Sequence, residues 1–266
     1  MIQMHLQDVY DHRLDTSAEV LDREREYHEK LYSGFAQQHF AKPAVRALRE
    51  HMVRRIIEKT GIASASRVLS IGCGIGDTEI LLAPYVREIV GIDLSPAAVQ
   101  QANADAACAG IDNFRAVECT LDEFDDRKFD AVIAIFFLHH LNDEMLRSCA
   151  ARVATLLRDK GSFYSLDPSR YRLSGFVGGL IFPAIMAQYQ TEDERQLEPS
   201  ATKKFFAAPN FDTRTSYYDF VSTPLAGLLP TWRKSYRTAR VLDELLIRTP
   251  LLKLLSSNFE IAAVKL

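Results

Sequence analysis

Short apolar runs alternate with helical stretches along most of the chain after Arg67. RVLSI, EIVGID, FRAV, DAVIAIFF and GSFYSLD are five such runs, and the segments between them carry apolar residues at spacings of three and four. Runs this continuous suit strands buried on both faces, and the helices between them suit the crossovers that parallel strands require. The pattern predicts an α/β fold, a doubly wound and mainly parallel sheet covered by helices on both faces. Between the fourth and fifth runs, Leu146, Ala150, Val153 and Leu157 form one stripe that ends at the stop signal Lys160-Gly161. Upstream, Val45, Leu48, Met52 and Ile56 predict a helix that begins at Pro43 and ends before Gly61. Residues 1–60 therefore read as an N-terminal helical cap on a core of residues 61–266. After Asp167 the alternation lapses, and residues 169–212 read as a lid insertion. The chain closes with SYYDFVS, a helical stretch around Arg237 to Ile247, and a final strand within SSNFEIAAVKL.

Composition narrows the function without naming it. At 266 residues the chain fits one decorated domain. Its 32 basic and 35 acidic residues leave a formal charge of -3, and no Lys/Arg cluster is long enough to track phosphates, so a nucleic-acid partner is not expected. Cys73, Cys108, Cys119 and Cys149 are scattered without a C-x-x-C pair, which argues against a disulfide framework and against a metal site. The charged N-terminal stretch lacks the apolar core of an export signal, and a cytoplasmic location is expected.

The chemistry concentrates in VLSIGCGIGDTEILL, Val68 to Leu82. Gly72, Gly74 and Gly76 form G-x-G-x-G directly between a strand and a helix, where glycines let the backbone turn sharply and let a ligand approach it. The dinucleotide fingerprint G-x-G-x-x-G would need its third glycine at Asp77, so the spacing leans away from NAD, and no Tyr-x-x-x-Lys pair for hydride chemistry follows. EIVGID ends at Asp93, placed to accept ribose hydroxyls. Ser95-Pro96 then supplies a helix cap and first-turn proline.

The order VLSIGCGIG, VGIDLS, VECTLDEF, FDAVIAIFFLHHL resembles the class I S-adenosylmethionine-dependent methyltransferases, in particular the small-molecule group similar to ubiquinone and menaquinone biosynthesis methyltransferases. The resemblance covers Val68 to Asp167 and implies a seven-stranded sheet, with SSNFEIAAVKL as an antiparallel strand next to the edge. It implies S-adenosylmethionine as cofactor, with Gly72, Cys73, Gly74 and Gly76 beside the methionine portion, Asp93 on the ribose and Leu94 against adenine. Glu118 would stand near the adenine amino group, the backbone N–H of Cys119 would meet the ring, and Phe136 would border the pocket. Ser70 stands where such proteins often carry Asp or Glu to orient the cofactor's ammonium group. It is either a weaker substitute or a small polar residue within a buried strand.

The acceptor side of the site is expected at FFLHHLND, beyond the fourth strand. A neutral imidazole there, His139 or His140, could take a proton from a hydroxyl, or the pair could simply fix the loop. The stretch resembles neither the Asn/Asp-Pro-Pro-aromatic signature of enzymes that methylate base amines nor the paired-glutamate loop of arginine methyltransferases. A small-molecule acceptor is therefore expected, methylated at oxygen more readily than at carbon, and the uncharged run that follows Asp167 makes a lipophilic one the expectation. The alternative is an S-adenosylmethionine-binding module or cyclase-like protein without methyl transfer. The uncharged run Leu173 to Thr191, with Phe176, Leu180, Ile181 and Phe182, reads as an acceptor-facing lid, a core helix or a surface for peripheral membrane contact; glycines and Pro183 argue against a span. VSTPLAGLLPTW shares that ambiguity. Tyr27 and Tyr32 could close over the cofactor or pack in the core, whereas His28, His39 and His51 read as non-functional.

Overall fold

The computed structural model describes residue 23 and residues 41–126, 128–175 and 196–266. Seven strands form one sheet in the order β3-β2-β1-β4-β5-β7-β6. In chain order, helix α1 (Pro43–Thr60) is followed by β1 (Arg67–Ile71), α2 (Asp77–Leu82), β2 (Glu88–Asp93), α3 (Pro96–Cys108), β3 (Phe114–Glu118) and β4 (Phe129–Ile135). Then come α4 (Asp143–Leu156), β5 (Leu157–Pro168), α5 (Pro199–Ala207), β6 (Phe211–Asp219), α6 (Ser222–Leu228), α7 (Arg233–Ile247) and β7 (Asn258–Lys265). Strands β1 to β5 pair in parallel, and β7, the strand read from SSNFEIAAVKL, runs antiparallel between β5 and β6. This is the class I methyltransferase-like sheet expected from the sequence. The sense of winding reverses between β1 and β4, which opens a crevice beyond their carboxyl ends.

Each face of the sheet carries its own apolar core. Met52 and Ile56 of α1 and Leu82 of α2 pack with Val68, Ile89 and Ile133 on one face. Leu146, Ala150 and Val153 of α4 pack with Leu69, Val132 and Ile261 on the other. Gly61 takes the left-handed conformation, φ 68°, that ends α1 where the sequence places its stop. One buried carboxylate fastens α1 to the sheet. Glu260 of β7 is fully buried and accepts four hydrogen bonds, from Arg55 Nε and Nη2 at 2.9 and 2.6 Å, Tyr164 at 2.9 Å and Ser216 at 2.6 Å. Burial works against its charge, but Arg55 and the two hydroxyls hold its pKa below the usual carboxylate value.

Two expectations change. The stripe predicted to continue as helix to Lys160 leaves the helix at Leu156, because Leu157 turns extended and pairs with Phe129 in β5. Leu157 is fully buried in the strand, as the helical stripe also required of it, so its apolar character could not mark the switch. Lys160 adopts φ 59° and Gly161 lies with the Arg158 carbonyl 2.8 Å from where a Cβ would stand, so this turn signal shapes an irregularity within β5. The second change concerns the segment 169–212. Its later part is not detached from the sheet: Phe206 of α5 is fully buried and stacks on Phe163 with ring centroids 4.3 Å apart, and Phe211 already opens β6. Phe176, Leu180, Ile181 and Phe182 lie outside the described residues, as do Tyr27, Tyr32, His28 and His39. His51 packs beside Tyr218 with ring centroids 5.4 Å apart, and burial with the Arg240, Arg54 and Arg55 charges pushes its pKa down to about 3. Among the described residues no helix is long and apolar enough to cross a membrane.

Candidate functional site

The glycine loop gathers at the carboxyl end of β1 under constraints that its residues satisfy individually. Gly72, Gly74 and Gly76 all have positive φ, 65°, 52° and 73°. A Cβ on Gly72 would lie 2.5 Å from the Phe137 ring, and one on Gly76 would lie 2.7 Å from the Phe114 ring. Cys73 turns its side chain inward, and its sulfur stands 2.7 Å from where a Cβ of Gly91 would be. Only the backbone of Cys73 is therefore in the loop's outer layer. The Gly72 and Cys73 N–H groups both donate to the Ile92 carbonyl, tying the loop to β2.

Asp93 completes that tie. Its Oδ2 accepts the Gly74 N–H at 2.8 Å and its Oδ1 accepts the Ser95 N–H at 3.0 Å, while Ser95 caps α3 through the Ala98 N–H. A carboxylate oxygen has two lone pairs, so these bonds leave acceptor capacity for ribose hydroxyls. Leu94 follows, half-buried. Glu118 ends β3 with an exposed side chain opposite Asp93 in the sheet register. The backbone N–H of Cys119, expected to meet an adenine ring, donates instead to the Asp93 carbonyl at 3.2 Å. The reason is local: the chain leaving β3 continues its pairing with β2 for one more bond.

Ser70 is buried, and its hydroxyl donates to Glu79 Oε1 at 2.6 Å. Sequence reasoning did not single out Glu79. Burial, reinforced by the Asp77 charge and opposed by the Ser70 hydrogen bond, pushes its pKa up to about 7. Beside it Arg49 of α1 pairs through Nε with Asp77 at 2.6 Å, bonds Thr78 through Nη1 at 3.2 Å, and reaches to 5.9 Å from the centroid of the Phe136 ring. Phe136, half-buried at φ 54°, follows the end of β4 beside the crevice and donates its N–H to the Leu166 carbonyl of β5.

The two histidines differ in their surroundings. His139 is buried, and its Nδ1 lies 3.1 Å from Oδ1 of Asp167, which also accepts the His139 backbone N–H at 3.3 Å. Asp167 is fully buried, and that burial pushes its pKa up to about 7 against the hydrogen bonds made to it. His140, half-buried, lies against His139 with ring centroids 4.1 Å apart and the planes tilted by 38°. Asp167 was legible only as the end of the fifth run; its pairing with a histidine 28 positions earlier depends on β4 and β5 being neighbours.

These residues fit a nucleoside with a charged tail. A backbone cradle closed to side chains, an anchored carboxylate at the end of β2, and a buried Glu79 Oε2 that finds no hydrogen-bond partner among the described residues are the features such a ligand uses.

Residues 68–161 match a family described as a methyltransferase domain. The uncharacterized methyltransferase YcgJ of Bacillus subtilis is 34% identical over 103 residues, 38% of this chain and 40% of the relative. Its crystal structure aligns with a TM-score of 0.55 at 21% identity, covering 81% of this chain and 98% of that one. Phosphoethanolamine N-methyltransferase 1 of Zea mays is 29% identical over 93 residues, 34% of this chain and 19% of that protein. The sequence matches thus span two-fifths or less of these curated relatives. The structure of magnesium protoporphyrin IX methyltransferase from Synechocystis PCC 6803 with bound SAH aligns at 17% identity with a TM-score of 0.58, covering 92% of this chain and 94% of that one.

Proposed function

We infer, from a chain built around a class I S-adenosylmethionine-dependent methyltransferase domain at residues 68–161, that it moves the methyl group of this cofactor to a small, apolar or aromatic acceptor, at oxygen rather than carbon. The glycine loop and Asp93 would hold the cofactor, with Leu94 and Phe136 bordering it. The cofactor supplies, when bound, a methyl group already activated on a sulfonium. What remains for the chain is to align the acceptor and remove its proton. The observation that carries the reading is the buried hydrogen bond between His139 and Asp167 beyond β4 and β5. Above about pH 7, where Asp167 is ionised and accepts the Nδ1–H, a neutral His139 presents the Nε2 lone pair as a base, and the Asp167 carboxylate fixes that tautomer and supports the imidazolium that forms. The net charge of -3 and the absence of a basic stripe in the sequence favour a small molecule over nucleic acid, and the uncharged run Leu173 to Thr191 in the sequence favours a lipophilic one.

The test is release of S-adenosylhomocysteine from S-adenosylmethionine in fractionated small-molecule extracts. His139→Ala should lower turnover by about 10²–10⁴ with little change in cofactor affinity, and His140→Ala should lower it far less. Equal turnover in wild type and both variants sinks the assignment of the base. A protein that binds the cofactor and releases no product with any fraction is instead a binding module or cyclase-like protein.

A further inference from the structure

The loop carries a carboxylate that proton removal and ribose binding leave unused. Glu79 stands in the first turn of α2 at 2% exposure. Its Oε1 is occupied by the Ser70 hydroxyl, whereas Oε2 is buried and finds no hydrogen-bond partner among the described residues. A buried carboxylate oxygen left in this condition is costly and points to a donor that arrives with a ligand. The groups around it specify the donor's charge. Asp77 lies two positions earlier on the same helix, and Arg49, brought from α1, is engaged with Asp77 at 2.6 Å. One guanidinium therefore faces two carboxylates, and an ionised Glu79 leaves an excess negative charge beside the glycine loop.

We propose that Glu79 binds the primary ammonium group of the amino-acid tail of S-adenosylmethionine, supplying from helix α2 the charge that Ser70 does not supply from β1. Ser70 is then a positioning residue: its hydroxyl holds Oε1 so that Oε2 faces the incoming ammonium. The proposal rests on the reading of residues 68–161 as the cofactor domain.

Calorimetry with two ligands tests it: S-adenosylhomocysteine, which carries the amino-acid tail, and 5′-methylthioadenosine, which has the same nucleoside and thioether without it. Glu79→Gln keeps the side chain's shape and the Ser70 contact. It should weaken S-adenosylhomocysteine by about ten- to a hundredfold and leave 5′-methylthioadenosine unchanged. Adding Ser70→Asp to Glu79→Gln should recover much of the lost affinity by returning a carboxylate to the same place. Unchanged S-adenosylhomocysteine affinity, or an equal loss for both ligands, overturns the role of Glu79 while leaving the cofactor reading intact. A wild-type protein that binds neither compound overturns the cofactor reading and this proposal together.

Discussion

Replacing Asp93 by alanine separates the loop-fastening task that the structure shows from the ribose-binding task proposed for the same carboxylate. In the protein without ligand, the substitution removes the acceptors of the Gly74 and Ser95 N–H groups, at 2.8 and 3.0 Å. Hydrogen bonds to a charged group contribute about 1.5–3 kcal/mol each in protected sites, and the half-buried position of Asp93 brings each to about 1 kcal/mol. The loop should thus lose about 2 kcal/mol of stability, which for a chain of this size lowers the melting temperature by about 4–8 °C. Ligand binding should weaken by a further tenfold or more, since the ribose hydroxyls lose a charged acceptor. Asp93→Asn retains one carbonyl oxygen and should fall between the two proteins on both scales. Thermal and urea unfolding of the free proteins measure the first effect, and calorimetry with S-adenosylhomocysteine on folded protein measures the second. An unchanged melting temperature refutes the fastening of the loop; unchanged affinity refutes ribose binding.

Two further predictions concern buried carboxylates elsewhere. Glu260→Gln breaks the pair between the fully buried Glu260 and Arg55, whose side chain is 20% exposed, while leaving the guanidinium in place, and should cost about 2–3 kcal/mol in urea unfolding; a loss under about 1 kcal/mol would show that α1 is held by apolar packing alone. Asp167, with its pKa pushed up to about 7 in the folded protein against about 3.9 when unfolded, takes up a proton on folding between those values. The native state then binds more protons than the unfolded state, so this contribution to stability is present below about pH 4 and is lost as pH rises toward 7. Asp167→Asn should flatten that part of the profile, and urea midpoints that keep the wild-type slope in the variant would refute the assigned burial effect.

The sequence by itself determined the features that report on a residue's immediate neighbours along the chain. Continuous apolar runs announced buried strands, Gly61 and Ser95-Pro96 marked where helices end and begin, and the glycine loop with Asp93 about one βα unit later marked the carboxyl ends of β1 and β2, where the two are joined by a hydrogen bond. Periodicity and turn chemistry are local, so they survive without knowledge of the fold. Leu157 shows where this stops: an apolar residue at a helical interval satisfies the stripe and the strand equally, and only pairing with Phe129 decides for the strand. The functional groupings lie beyond that boundary. Glu79 meets Ser70 because α2 folds back along β1, His139 meets Asp167 because β4 and β5 are neighbours, and Arg55 meets Glu260 across 205 positions because β7 inserts between β5 and β6. A polar residue's sequence gives its hydrogen-bonding capacity but not its partner, and burial, which raises the carboxyl pKa of Glu79 and Asp167 toward neutrality, exists only once the sheet and its helices have excluded water.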